Sequence, residues 1–454
     1  MTFIQTIEQT LANLVGILWG LPLVVLLVGG GLFFLIYSQL RPYRHLAEGA
    51  RLLLRPAEPG DPGQLSHFQA LSTALSGTLG MGNISGVAIA ITVGGPGAIF
   101  WMWLSAVLGI ATKFYTCTLA VMFRGKDSEG EWQGGPMYVI REGLGRKWMP
   151  LAYFFAIAGL FGTLPIFQVN QLVQVLRNII AIPNGWASET SHFEFDIGLG
   201  LIITVLVLIV ATGRIKRLGN VARILVPTMV CGYLLMTVFV LLTHLPEIPA
   251  ALKLIFVDAF SGDAVAGGAL FFVIRTGIQR AAFSNEAGIG TEAMAHGAAK
   301  TTEPIREGLV AMLGPIIDTL IVCTCTALVI LISGVWRSGD TNGATLTAQA
   351  FGILFPVGGS VLLALLVSAL SLSTVFTFWY YGSKCLGFLI GAKYQHYYVW
   401  FYALLVIVGA LASLRLVVNL LDTMYALMAI PTMTGALLLA PKVNAAAKKY
   451  FAKQ

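Results

Sequence analysis

Charge is scarce in this 454-residue sequence. Asp, Glu, Lys and Arg make up 11% of it, apolar residues 57%, and the mean hydropathy is +0.81. A soluble domain carries about 25% charged residues, so a water-exposed globule is excluded. Cysteine is also sparse. The five present, Cys117, Cys231, Cys323, Cys325 and Cys385, are odd in number and lie in or beside apolar runs. A disulfide framework is thereby excluded in favour of buried thiols. Cys323 and Cys325 stand two apart, so on a helix they face different ways and form no metal pair. There is no Gly-x-Ser-x-Gly turn, no His-Glu-x-x-His and no P-loop, which leaves a membrane enzyme without machinery. The six His are scattered, and loop or interface positions account for most of them. The basic residues gather on no single face, which argues against nucleic-acid contact.

What the sequence does have is apolar length. Eleven stretches are expected to span a hydrocarbon core of about 30 Å: Leu14–Tyr37, Phe68–Val93, Ala98–Phe123, Met149–Val173, Ile197–Thr212, Val221–Thr243, Ala264–His296, Leu309–Ser333, Val357–Gly382, Tyr397–Leu414 and Leu416–Ala440. No Lys or Arg precedes the first, and its 24 residues exceed a signal-peptide core, so it is expected to stay as a helix. With the N-terminus outside and the C-terminus in the cytoplasm, 21 of 28 Lys and Arg fall in inner loops or the C-terminal tail. That bias is the positive-inside rule, and it accounts for the net charge of +7. The segment His45–Leu54, enclosed by prolines, is expected as a short helix on the cytoplasmic membrane surface.

Two of these stretches are interrupted by polar, glycine-rich runs, at residues 73–86 and 276–290. Asn, Gln, Arg, Glu and several glycines at mid-membrane are costly unless they line a cavity or find partners. Setting the first span aside, ten remain as five plus five, and the interrupted span opens each half. An odd number per half inverts the second relative to the first, the plan of many secondary transporters. The organisation expected is an extra N-terminal helix (1–40), a cytoplasmic connection (41–67), two repeats (68–243 and 264–441) and a basic tail (442–454). An unwound mid-span segment bares N–H groups at one half-helix start and C=O groups at the other's end. The first suits a carboxylate and the second a cation.

At these residues the chain resembles the alanine/glycine:cation symporter family along nearly its whole length. The stretches that carry the resemblance are Phe68-Gln-Ala-Leu, Gly80-Met-Gly-Asn-Ile-Ser-Gly-Val87, Gly94-Gly-Pro-Gly-Ala-Ile-Phe-Trp-Met-Trp103 and Gly134-Gly-Pro-Met-Tyr138. Further ones are Gln279-Arg-Ala-Ala-Phe-Ser-Asn-Glu-Ala-Gly288 and Ile317-Asp-Thr-Leu followed by Cys323-Thr. The resemblance implies an all-α, leucine-transporter-type (LeuT-type) fold with discontinuous helices. It also implies import of alanine or glycine with Na⁺ as the coupling ion and no cofactor.

The resemblance further implies roles for residues. The unwound part of the first core helix would be Ser76–Asn83, with Met81 and Gly82 amides toward the substrate carboxylate, Thr78 and Asn83 beside them, and Ser76 and Leu79 carbonyls toward Na⁺. Leu370, Ser373 and Thr374, at i, i+3 and i+4, share a helix face and look like the sodium site of LeuT-type carriers. The other reading of these hydroxyls is back-bonding to their own helix. Gln168 and Asn170 would meet the substrate ammonium and Phe167 would wall its side chain; helix–helix hydrogen bonding is the alternative. Gly277, Ile278 and Gln279 are expected as the second unwound segment, with Phe283 and Phe378 closing the pocket. Arg280, Glu286 and Asp318 are expected either to pair within the membrane, or for an acid among them to hold a second cation or a proton. Many family members have Arg at 78, a small Ser or Thr at 81, Trp at 378 and Glu at 383. Here these are Thr78, Met81, Phe378 and Ser383, which bears on substrate and coupling. The alternatives are a proton-coupled carrier, a carrier of another small amino acid such as serine, and a channel or non-transporting sensor.

Overall fold

A computed structural model describes residues 3–55, 60–211, 214–260, 269–339, 342–355 and 357–453. The chain is helical nearly throughout; the only strands among the described residues are a two-residue pair, Gly125–Lys126 with Trp132–Gln133. The N-terminal segment is two helices rather than one, α1 (Phe3–Leu18) and α2 (Leu21–Tyr37), bent by 54°. The bend falls at Gly20, whose backbone is extended, with Pro22 in the next turn and no N–H to continue the ladder. After α2, Leu46–Leu52 forms the short helix expected in the cytoplasmic connection.

The first interrupted span is α3 (His67–Thr78) followed by α4 (Gly82–Gly94), bent by 51°. A capping box starts α3: the Ser66 hydroxyl accepts from Gln69 N while Gln69 Oε1 accepts from Ser66 N. Then come α5 (Ala98–Met122), α6 (Met149–Gly162) and α7 (Ile166–Leu176). The expected span over 149–173 is therefore also broken, at Thr163-Leu-Pro165, where Pro165 supplies no donor. Next are α8 (Phe193–Ala211) and α9 (Arg214–Thr243). The second half opens with α10 (Ala269–Asn285) and α11 (Glu292–His296), then α12 (Pro304–Ser333), α13 (Gly343–Leu354), α14 (Gly359–Ile390), α15 (Tyr398–Leu411) and α16 (Leu414–Phe451). Ser413, whose hydroxyl caps Leu416 N, separates the last two.

Eight described helices are long and apolar enough to cross a membrane, ten spans if each bent pair counts once. The eleventh expected span covers 264–296, where α10 and α11 have only 17 and 5 residues and 264–268 lie outside the described residues.

The second break is where the fold departs most from expectation. Helix α10 runs through Gly277, Ile278 and Gln279 without interruption. Unwinding starts after Asn285, where Glu286 (φ 56°), Gly288 (φ 83°) and Gly290 (φ 99°) are left-handed. Two glycines take that conformation without a Cβ penalty; Glu286 takes it against one. Gly277 serves a different need: a Cβ there would lie 2.6 Å from Trp101 Cβ, because α10 packs closely on the start of α5. At Gly288 an added Cβ would meet Leu27 of α2 at 2.8 Å and Met433 of α16 at 3.0 Å. The second break is thus covered by α2 and by the last helix, α16.

Candidate functional site

The centre of the molecule is the gap between α3 and α4. The Gly80 amide donates to Thr78 O (2.9 Å) and Asn83 Oδ1 (3.1 Å), and the Met81 amide to Gln168 Oε1 (2.9 Å). The break before α7 puts Phe167 and Gln168 in that helix's first turn, and so beside the gap. Glycine allows a close approach at two points. A Cβ on Gly80 would collide with Thr374 Oγ1, and one on Gly82 would sit 3.2 Å from Ser284 Cα and 3.3 Å from Phe283 O. Gly80 therefore faces α14 and Gly82 faces α10. The Thr78 and Tyr381 hydroxyls are buried with no hydrogen-bond partner among the described residues. A buried orphan hydroxyl is unusual and points to a missing partner.

Facing the end of α3, α14 supplies hydroxyls. Ser76 Oγ donates to Ser373 O (2.9 Å), Ser373 Oγ to Leu370 O (2.8 Å), Thr374 Oγ1 to Leu370 O (3.2 Å) and Thr377 Oγ1 to Ser76 Oγ (2.9 Å). Ser373 Oγ also lies 3.4 Å from Ser76 O. A hydroxyl has one proton and two lone pairs. Ser373 and Thr374 direct their protons back along α14 and keep lone pairs free for a further partner. Back-bonding and ion coordination are thus compatible readings of the same pair. Leu79, fully buried, ends α3 beside them.

The intramembrane charges do not pair with one another as expected. Arg280 binds Asp422 of α16, and its guanidinium lies 5.0 Å from the Phe283 ring centroid. Glu286 accepts from Thr291 Oγ1 and from Tyr425 OH (3.0 Å). Asp318 accepts from Ser284 Oγ (2.6 Å), Thr319 Oγ1 (2.8 Å) and Asn83 Nδ2 (2.8 Å). The unwinding after Asn285 explains the separation, because it carries Glu286 out of the helical register of Arg280. Asp422 escaped the sequence reading, although an acid in an apolar last span is a visible signal. Its carbonyl accepts from Trp19 Nε1 (2.9 Å), which ties in the N-terminal segment.

Of the remaining candidates, Phe167 and Phe283 meet edge-on at 4.8 Å, and Phe283 lies 5.4 Å from Tyr425. Phe378, buried one turn beyond Thr374, lies 6.2 Å from Tyr381. Asn170 turns away: its amide donates to Ala412 O (2.6 Å) and Gly409 O (3.3 Å) at the end of α15. It makes the helix–helix contact rather than one at the gap. Gly277, Ile278 and Gln279 belong to an unbroken helix and bare no main chain to the site.

A profile described as "Sodium:alanine symporter family" matches residues 4–454. The sodium/alanine symporter AgcS of Methanococcus maripaludis is 38% identical over 437 residues, covering 95% of this chain and 94% of the relative. The probable sodium/glutamine symporter GlnT of Bacillus subtilis is 34% identical over 448 residues, 98% and 91% of the two chains. Among solved structures, that of MhsT in complex with L-phenylalanine superposes with a TM-score of 0.60, covering 84% of this chain and 90% of MhsT at 15% identity. The fold is LeuT-type.

Proposed function

Because the chain belongs to the sodium:alanine symporter family, we propose that it imports a small neutral amino acid, alanine or glycine, together with Na⁺ by alternating access about the α3–α4 gap. The observation that carries this reading is the convergence of Ser76, Leu370, Ser373 and Thr374 beside Gly80, where α3 ends. These oxygens, with the Leu79 carbonyl, are hard and neutral, the set a monovalent ion binds and leaves again. The amides of Met81 and Gly82 open α4, whose N-terminal end carries partial positive charge suited to a carboxylate. Gln168 Oε1 now satisfies the Met81 amide, so an arriving carboxylate takes over that hydrogen bond and frees Gln168 for the substrate ammonium. Thr78 and Tyr381 offer the unspent hydroxyls. Phe167, Phe283, Met81 and Phe378 restrict the side chain to about a methyl group.

Asp318 is the residue for a second cation. Asn83 Nδ2, which can only donate, lies 2.8 Å from it, so the carboxylate is held as an acceptor. The basic inner loops support an inner-membrane location with the N-terminus outside and the C-terminus in the cytoplasm.

Proteoliposomes loaded to impose either a Na⁺ or a pH gradient test the reading with labelled alanine, glycine, serine and glutamine. Alanine or glycine should accumulate only under an inward Na⁺ gradient. Accumulation that ignores Na⁺ and follows pH would sink it. Gly82→Leu should reach the membrane yet lose binding by at least about 10- to 100-fold, since overfilling a packed site costs about 1–3 kcal/mol. Scintillation-proximity binding on the purified variant checks this, and wild-type affinity would be the contrary result.

A further inference from the structure

At the far end of the two broken helices from the gap lies a second buried cluster. His67 is the first residue of α3, His296 the last of α11, and Glu307 lies in the first turn of α12. The Glu307 carboxylate is fully buried; His67 Nδ1 meets one oxygen and His296 Nδ1 the other, the latter at 2.6 Å. One carboxylate therefore grips two helix ends that lie 229 residues apart in sequence. The main chain around it is stitched as well. Gln64 N and Leu65 N donate to Ala298 O (2.8 and 3.0 Å), and Lys300 N to Leu65 O (2.6 Å). Just past α5, Arg124 donates to the carbonyls of Gly297 (2.7 Å), Pro62 (3.0 Å), Thr301 (3.2 Å) and Ala299. Burial brings its pKa down to about 10, so it stays charged at neutral pH.

We propose that Glu307, held by His67 and His296, is the latch that keeps the cytoplasmic mouth closed, and that releasing this grip commits the carrier to inward discharge. The inference rests on the transport reading above, which puts this end in the cytoplasm. Its physical basis is position. The segment before α3 and the segment after α11 are joined here by main-chain and side-chain bonds, so substrate cannot leave inward until they part. The choice of side chains fits a catch that must also open. A permanently charged Arg in place of the imidazoles would make fixed, bidentate bonds, whereas each imidazole meets the carboxylate through a single ring nitrogen. Arg124 grips only carbonyls and can travel with either segment. Losing a charge-assisted hydrogen bond shifts such a two-state balance by about 10- to 100-fold.

The test reads conformation directly. In a background with the five native cysteines replaced, Ala74→Cys places a reporter two turns from His67 on the same face of α3, where Ala74 is buried. Inside-out vesicles are treated with a membrane-impermeant maleimide. Glu307→Ala should raise the labelling rate at least about tenfold, and Glu307→Gln and His296→Gln by less. Should the alanine variant fail to fold, the two milder variants decide. Unchanged labelling in those that elute as a single species from a sizing column overturns the latch, as does labelling that rises only from the outer face. Labelling does not depend on uptake, so a wild type without Na⁺-driven alanine transport would overturn the transport reading and leave this result to stand.

Discussion

Na⁺-stimulated uptake should disappear when Ser373→Ala and Thr374→Ala are combined. The two hydroxyls make hydrogen bonds of 2.8 and 3.2 Å to Leu370 O, and removing them takes two side-chain oxygens of α14 out of the cluster around Ser76. A hydrogen-bonding group on a charged partner contributes about 1.5–3 kcal/mol, so losing both should weaken Na⁺ about 10²- to 10⁴-fold. Uptake measured over a Na⁺ concentration series should lose its saturable component. The helix itself should survive, since alanine is its best former. A double variant with an unaltered Na⁺ curve would show that the ion binds elsewhere.

The second large effect is on stability. Asp422→Asn leaves Arg280 buried beside a neutral amide in a setting where Arg280 Nη1 and Asp422 Oδ1 already lack partners among the described residues. Breaking a buried pair by removing one partner costs about 3–5 kcal/mol, a large share of the 5–15 kcal/mol typical of native proteins. The fraction of detergent-solubilised protein that stays monodisperse after heating should fall sharply. Replacing the pair by Arg280→Met with Asp422→Leu should recover much of it, because the uncompensated charge is gone. Equal heat resistance of Asp422→Asn and the parent would mean the pair is not what holds α10 to α16.

The first break was legible because Leu79-Gly-Met-Gly82 has no reason to exist inside a lipid-facing helix, and its glycines are there for main-chain exposure. The second run contained the same residue type used for two purposes. Gly277 provides close packing against α5, while Gly288 and Gly290 provide left-handed turns. A sequence distinguishes these uses only through neighbours, and Glu286-Ala-Gly-Ile-Gly290, the denser run, was the better place to unwind. Pro165 in the middle of a span was a readable sign of the third break. Loops or interfaces were expected to explain most of the histidines, and the two left over are His67 and His296, which are 4% and 1% exposed. Glu307 draws His67 in from 240 residues away and His296 from 11, and the first of these meetings is purely tertiary. Asn170 shows the converse limit. Its residue type fits a site, but its place on α7 aims it at α15.

Helix α2 acquires a meaning from where Leu27 sits. The six residues of irregular main chain between α10 and α11 would otherwise confront hydrocarbon, which offers no hydrogen bonds to bare peptide groups. With Leu27 and Met433 closing over Gly288, α2 works as insulation for an unwound element it never shares in. An additional span beyond the two fivefold halves is then what allows one of them to come apart inside a bilayer.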